Sequence, residues 1–316
     1  MRCGVRFEPD WKPEDLPAFA RWAERVGFRE LWFSEDLPWA GGIAMAATAL
    51  ACTETLHVGI GLLPASTRNP ATTAMEIAAL ARLAPGRLTV ALGHGIPSWM
   101  RQVGAAVPRP LTVLQETATA LRVLLQGREV TLHGEHVHLD AVRLGFPPAV
   151  VPRILLGTTG PKGLQAGGAH ADGVLLPEIA SPAAVRWAHQ RVAEGARGER
   201  DRGAGPGHQV TLFAMVSLGD DDASAVDQVR TRMQRIVDFG VFDHLARLAE
   251  VPGDRGPMSD QVLQRVAVTG TPEQAVQAVR AWEAAGAESV VVVAGADDPQ
   301  ESYRRFADDV LPHLTR

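Results

Sequence analysis

Short apolar runs alternate along this chain with stretches whose apolar residues recur every three or four positions. The runs Cys3–Phe7, Glu30–Phe33, Leu56–Gly61 and Leu88–Leu92 read as strands. Between them, Leu16–Val26 sets Phe19, Trp22, Ala23 and Val26 at helical spacing, and Gly27 ends that helix. Ile43–Cys52 is apolar and helical, and Pro70 opens a helix that runs to about Leu83. The period then lengthens. Leu111–Leu125 is a helix, and Glu129–Leu144 carries an alternating stretch with a glycine in its middle, which predicts a β-hairpin outside the main sheet.

The stretch Val151–Gly173 is the most informative. The apolar run Ile154–Leu156 stops at Gly157-Thr158-Thr159-Gly160, Pro161 stands where a helix begins, and Val174–Leu176 follows as another strand. That is a βαβ unit with a glycine-rich turn. Beyond it, Pro182–Ala196 reads as a helix, 199–209 as a polar glycine-rich loop and Val210–Ser217 as a strand. Ala223–Phe239 is a helix, and Val241–Val266 is irregular or briefly helical. Thr271–Gly286 is a helix whose Thr271 and Gln274 fit a capping box. Ser289–Val293 is the last strand and Gln300–Leu314 the closing helix.

Eight strands, nearly all followed by a helix, predict an α/β fold: a single (β/α)8 TIM barrel over residues 1–316, with insertions. The rival, a doubly wound sheet, calls for G-x-G-x-x-G near the first strand, and none is there. Composition agrees: 316 residues with 46% apolar content can bury a sizeable core. The net charge of −5 and the lack of a dense basic run argue against nucleic acid or a membrane surface as partner. Cys3 and Cys52 lie in apolar surroundings and read as core residues. Met1-Arg2 leads straight into strand-like sequence and no run has the length of a membrane span, so a soluble cytoplasmic protein is expected.

In such a barrel the active site lies at the C-terminal ends of the strands. There the chain places Glu8, Ser34-Glu35-Asp36, the Gly59–Pro64 turn, His94, Thr158–Lys162 and Glu178. The Thr158-Thr159-Gly160-Pro161-Lys162 turn offers backbone N–H groups, a helix N-terminus and a cation, which suits a phosphate; a tight loop without a ligand is the alternative. His94 between two glycines suits a site role more than packing. Glu8 is a site acid or a solvated loop acid, Glu35-Asp36 are site acids or cap the next segment, and Trp39 walls a planar ligand or simply packs. His133, His136 and His138 with Glu135 and Asp140 resemble metal ligands, but Gly134 interrupts their strand and a polar hairpin is favoured, with no metal. No H-E-x-x-H, C-x-x-C, P-loop or G-x-S-x-G occurs, which leaves cofactor chemistry as the best fit.

Leu56–Pro70, Ala81–Gly95, Val151–Leu176, Ser34-Glu35-Asp36 and the late Gly270-Thr271-Pro272-Glu273 with Ala285-Gly286 resemble the bacterial luciferase-like superfamily, in the same order and over nearly the whole chain. Within it the chain looks most like the branch that uses the deazaflavin coenzyme F420, which includes methylenetetrahydromethanopterin reductases and glucose-6-phosphate dehydrogenases. The other branch uses FMN and oxygen. The resemblance implies an F420-dependent oxidoreductase acting on a small-molecule substrate, with an FMN-dependent monooxygenase as the alternative, a degenerate non-catalytic barrel as a third reading, and a homodimer as the assembly. It implies that Glu35-Asp36 stand where F420 enzymes often carry Asp-His beside the ring. It also implies a cis peptide at Gly61-Leu62 backing the ring, His94-Gly95 touching ring or ribityl chain, and Thr158–Lys162 holding phosphate. His94, then Glu35, then Glu8 are the candidates for proton transfer, with Trp39 and Glu178 on the substrate side. The family's glutamates after the fourth strand are replaced here by Ile96 and Pro97, which counts against a sugar phosphate as substrate.

Overall fold

Parallel strands buried on both faces read as unbroken apolar runs, and those runs build the wall of a closed barrel. The computed structural model describes residues 1–197, 207–218, 222–238 (222–224 as backbone only), 242–251, 258–296 and 298–314. In chain order the strands are β1 (Arg2–Arg6), β2 (Glu30–Phe33), β3 (His57–Pro64), β4 (Leu88–Gly93), β5 (Val130–His133), β6 (His138–Val142), β7 (Arg153–Gly157), β8 (Gly173–Leu176), β9 (Gln209–Leu218), β10 (Ala267–Gly270) and β11 (Ser289–Ala294). Around the barrel the order is β1-β2-β3-β4-β7-β8-β9-β11, and β11 returns to β1. Every pairing in this wall is parallel. The strand C-termini therefore share one mouth.

The helices fall where periodicity placed them: Leu16–Val26, Gly42–Cys52, Pro70–Leu83, Pro110–Leu125, Pro161–His170, Pro182–Ala196, Asp222–Asp238 and Pro272–Ala284. The capping box is present, with Thr271 Oγ1 accepting from Gln274 N–H at 3.4 Å and Gln274 Oε1 accepting from Thr271 N–H at 2.7 Å. The hairpin is a separate antiparallel pair, β5 with β6. The closing helix is composite: Pro299–Arg305 is α-helical, Phe306–Val310 widens to a π turn and Leu311–His313 tightens to a 3-10 turn. Most of the loop expected at 199–209 lies outside the described residues, as do Phe239 and Val241.

One strand escaped the sequence pattern. β10 follows the short helix Asp260–Val266 directly and yields at once to the capped helix. Its four residues, Ala267-Val268-Thr269-Gly270, hold only two apolar positions in a row, too few to read as an apolar run. It pairs with the upper part of β9, Met215 to Leu218, whereas β8 pairs with the lower part, Gln209 to Leu212. β9 is thus the fork of the sheet.

The barrel interior is filled, with a polar floor. Trp32 lies across Gly59, where a Cβ would fall 2.1 Å from the indole. Its Nε1 donates to Glu30 Oε2 at 2.8 Å, Ser289 Oγ donates to the same oxygen at 2.5 Å, and Arg2 Nε stands 2.9 Å from the other. Glu30 is completely buried, a cost tolerated because the carboxylate is paired and hydrogen-bonded. Both cysteines are free thiols. Burial pushes the Cys3 thiol up to about 12, so it is inert. Cys52 is only half-buried.

Candidate active site

The mouth gathers Glu8, Glu35, Asp36, His94, Thr158 and Glu178, because each follows the end of a parallel strand. A guanidinium not singled out in the sequence joins them. Arg6 ends β1, and its Nη2 lies 2.6 Å from Glu8 Oε2 while its Nη1 lies 2.9 Å from Glu178 Oε1. It also lies over the Phe213 ring, 5.5 Å from the centroid. Burial alone would pull Arg6 down, but the Glu8 and Glu178 charges reverse that, and it stays protonated. Glu8 is saturated: its other oxygen accepts from Ala294 N–H at 3.0 Å and from the Tyr303 hydroxyl. Burial first and the Glu8 charge second hold the Tyr303 phenol well above its usual range. Glu8 is therefore held fast in the wall.

Glu35 and Asp36 diverge. The Glu35 carboxylate takes Arg68 through both oxygens, at 3.1 Å from Nε and 2.8 Å from Nη2, and also accepts from Gly42 N–H at 2.8 Å. It pins the start of the Gly42–Cys52 helix. Asp36 makes no side-chain hydrogen bond or ion pair with any described residue. Burial, against Arg6 and with Glu178, Glu8 and Glu35, raises its carboxyl to about 6. Its backbone carbonyl accepts from Trp39 N–H at 2.8 Å across a turn that includes the cis Leu37-Pro38 bond. Trp39 sits at the rim, 52% exposed.

Beside this acidic patch lies an apolar cradle. The Gly61-Leu62 peptide is cis, and the β3–β4 register shifts there. Leu62 lies across the ends of β4 and β7: a Cβ on Gly93 or Gly157 would fall 2.3 or 2.4 Å from Leu62 Cδ2. His94 follows. Its Nδ1 is buried without a hydrogen-bond partner. Burial lowers the His94 pKa more than the Pro110 backbone raises it, so the imidazole is neutral at neutral pH.

At the end of β7, Gly160 is the N-cap of the Pro161–His170 helix and brings no side-chain cap. The first-turn N–H groups of Lys162 and Gly163 have no partner within a helix. Space beside Gly160 is open, the nearest atom to a Cβ there being His244 Cδ2 at 4.0 Å. Thr158 is buried, its Oγ1 packed against Gly163, and Lys162 is exposed. One further cation stands near: Arg247, whose Nη2 donates to His244 Nδ1 at 2.9 Å. The mouth is thus basic at this turn and acidic around Arg6. A flat apolar floor, an orphaned imidazole nitrogen and an open, uncapped helix start fit a long cofactor with a planar ring and a phosphate.

The histidine-rich hairpin has another occupation. Glu116 accepts from the N–H groups of Glu135, His136 and Val137, at 2.7, 3.0 and 2.9 Å, and fills the turn. His136 lies in that turn rather than on a strand, and His133 pairs across from His138. Among the described residues no group of three or more histidine, cysteine or acidic side chains could hold a metal ion.

The luciferase-like monooxygenase family model matches residues 8–289. The chain belongs to this family. It is 25% identical over 338 residues to the 5,10-methylenetetrahydromethanopterin reductase of Archaeoglobus fulgidus, spanning 99% of this chain and all of that protein. It is 28% identical over 344 residues to the F420-dependent glucose-6-phosphate dehydrogenase of Kineococcus radiotolerans, covering 99% and 97%. In fold it matches the coenzyme F420-dependent tetrahydromethanopterin reductase of Methanopyrus kandleri with a TM-score of 0.83, 22% identity and 99% coverage of both chains.

Proposed function

We propose that this chain is an F420-dependent oxidoreductase that moves a hydride between the deazaflavin and a small organic substrate. The observation that carries the reading is the mouth itself: apolar cradle, orphaned His94 Nδ1 and uncapped helix start lie side by side. Similarity to F420-dependent enzymes along the whole chain supports it. The cofactor supplies the hydride. The chain supplies the rest. The Lys162 and Gly163 N–H groups hold the phosphate, with Thr159 and the Lys162 charge beside it, while Gly160 and Pro161 shape the turn. Gly61, Leu62, His94 and Gly95 bear on the ring and its attached chain, and the neutral His94 shares a hydrogen bond with it rather than giving up a proton. Trp39 and Glu178 flank the substrate.

The substrate is uncharged or cationic. Around Asp36 stand Glu8 and Glu178 with Arg6 already shared between them, so an anion there would meet unbalanced negative charge. This departs from a sugar phosphate. The reading carries with it a cytoplasmic location and a homodimer; no helix among the described residues is long and apolar enough to cross a membrane.

The test is titration of the purified protein with oxidised F420 and with FMN, followed by assay of each reduced cofactor while oxygen uptake is recorded. Binding of F420 and its reoxidation by an organic acceptor without oxygen uptake is the expected result. Turnover with FMN and oxygen would establish the monooxygenase instead, and binding of neither cofactor would leave a non-catalytic barrel.

A further inference from the structure

We infer that Asp36 is the group of this chain that holds a proton at the barrel mouth and exchanges it with the substrate as hydride is transferred. The inference rests on the oxidoreductase reading above. Among the described acids gathered at the mouth, Asp36 alone has a carboxyl without a partner. Glu8 is held by Arg6, Tyr303 and Ala294 N–H, Glu178 by Arg6, and Glu35 by Arg68 and Gly42 N–H. A carboxylate held in charge-assisted bonds would have to break at least one of them to take up a proton. Asp36 breaks nothing.

Its surroundings also favour the protonated form. The charged groups facing it are Arg6 and Glu8 from the end of β1, Glu178 from beyond β8 and its neighbour Glu35. Glu35 is neutralised by Arg68, and Arg6 is divided between two acids, so a further negative charge on Asp36 is poorly compensated. Burial acts in the same direction and brings the carboxyl to about 6. Such a group both gives and regains a proton near neutrality.

For reduction of a carbonyl or imine the step balances as follows. The hydride forms a new C–H bond, and the π pair of the C=O or C=N bond moves to the heteroatom. The Asp36 O–H bond breaks as the heteroatom–H bond forms. The two electrons travel with the hydride that the reduced deazaflavin would supply. The proton it would shed on oxidation goes to water, and the Asp36 carboxylate regains one proton from water, so the sum is one hydride and one proton to the substrate. Because the protonated acid is required, the rate in this direction falls as pH rises through about 6.

The experiment pairs a cofactor-free measurement with turnover. Difference infrared titration of the apo-protein follows the C=O band of protonated carboxyls. The native chain is expected to lose a band with a midpoint near 6, and D36N is expected to lack it. Thermal unfolding gives a second readout. A carboxyl whose pKa is raised on folding weakens the fold once ionised, so D36N should melt above the native chain at pH 8, and the gap should close below about pH 4. With reduced F420 and acetone or 1-pyrroline as acceptor, D36N should turn over more than about tenfold slower while binding F420 normally. A band near 6 that persists in D36N, or undiminished turnover by D36N, overturns the assignment. Failure of the native chain to bind F420 overturns the functional reading instead, and the infrared and melting data still report on Asp36.

Discussion

Neighbouring residues of one chemical type meet opposite fates here. Glu35 and Asp36 are adjacent acids, yet one is an anchor for a helix and the other a free carboxyl facing the mouth. Arg68, 33 residues from Glu35, and the Gly42 N–H separate them. Trp32 and Gly59 show a similar dependence. Gly59→Ala would drive a methyl into the indole at 2.1 Å. Overpacking of this kind costs about 1–3 kcal/mol, so the denaturation midpoint should fall by that equivalent, and an unchanged midpoint would contradict the packing. At the phosphate turn, Gly160→Asp should place a carboxylate at the open helix start and weaken F420 binding strongly. Lys162→Ala, at an exposed position, should weaken it only modestly. Fluorescence titration of the cofactor distinguishes the two, and equal losses would shift the main contribution to the lysine.

At the scale of elements, one device is used twice. A helical glutamate catches consecutive backbone N–H groups of a loop: Glu24 takes Glu54, Thr55 and Leu56, and Glu116 takes Glu135, His136 and Val137. Burial raises both carboxyls a little, and the backbone bonds outweigh it, so both lie below the usual range. The sign follows: their stabilisation is complete above the ordinary carboxylate pKa and is lost as pH falls through the lower folded values. Both loops should loosen in acid. Glu116→Gln leaves one acceptor oxygen for three donors. Hydrogen bonds to a charged group are worth about 1.5–3 kcal/mol, so amide exchange at 135–137 should accelerate by roughly tenfold or more. Unaltered protection there would show that the hairpin holds itself.

At the scale of the molecule, the closed barrel sets all the strand ends on one rim, and that rim is divided by charge. Lys162 with the His244–Arg247 pair stands at the phosphate turn, and Glu8, Asp36 and Glu178 stand around Arg6. Outside the wall, Met75 and Leu83 of the Pro70–Leu83 helix are 62% and 83% exposed. If the proposed homodimer closes on this helix, these two side chains lie at its seam. Replacing both by glutamate should convert a dimer to a monomer in sedimentation velocity. A native chain that already sediments as a monomer would remove that part of the proposal.

Local pattern was enough for the barrel. Apolar runs, helical spacing, proline starts and the Thr271–Gln274 capping box are properties of contiguous residues. Eight such β/α units bury their strands on both faces in a barrel or a doubly wound sheet, and the lack of G-x-G-x-x-G near the first strand favoured the barrel that β11 closes on β1. The glycine-rich turn after β7 was legible for the same reason, since strand, turn and helix are consecutive. The pairing of charges was not. Tyr303 reaches Glu8 across 295 positions and Arg6 reaches Glu178 across 172, and nothing in either segment names its partner. Arg6 at the end of β1 and Glu8 two residues beyond it carried a faint signal by nearness alone. The fork at β9 and β10 was invisible because β10 holds only two apolar residues in a row. Which acid is bound, which is free and which nitrogen is left without a partner are facts about the mouth as a whole. Burial and the summed field of distant side chains, rather than residue type, decide them.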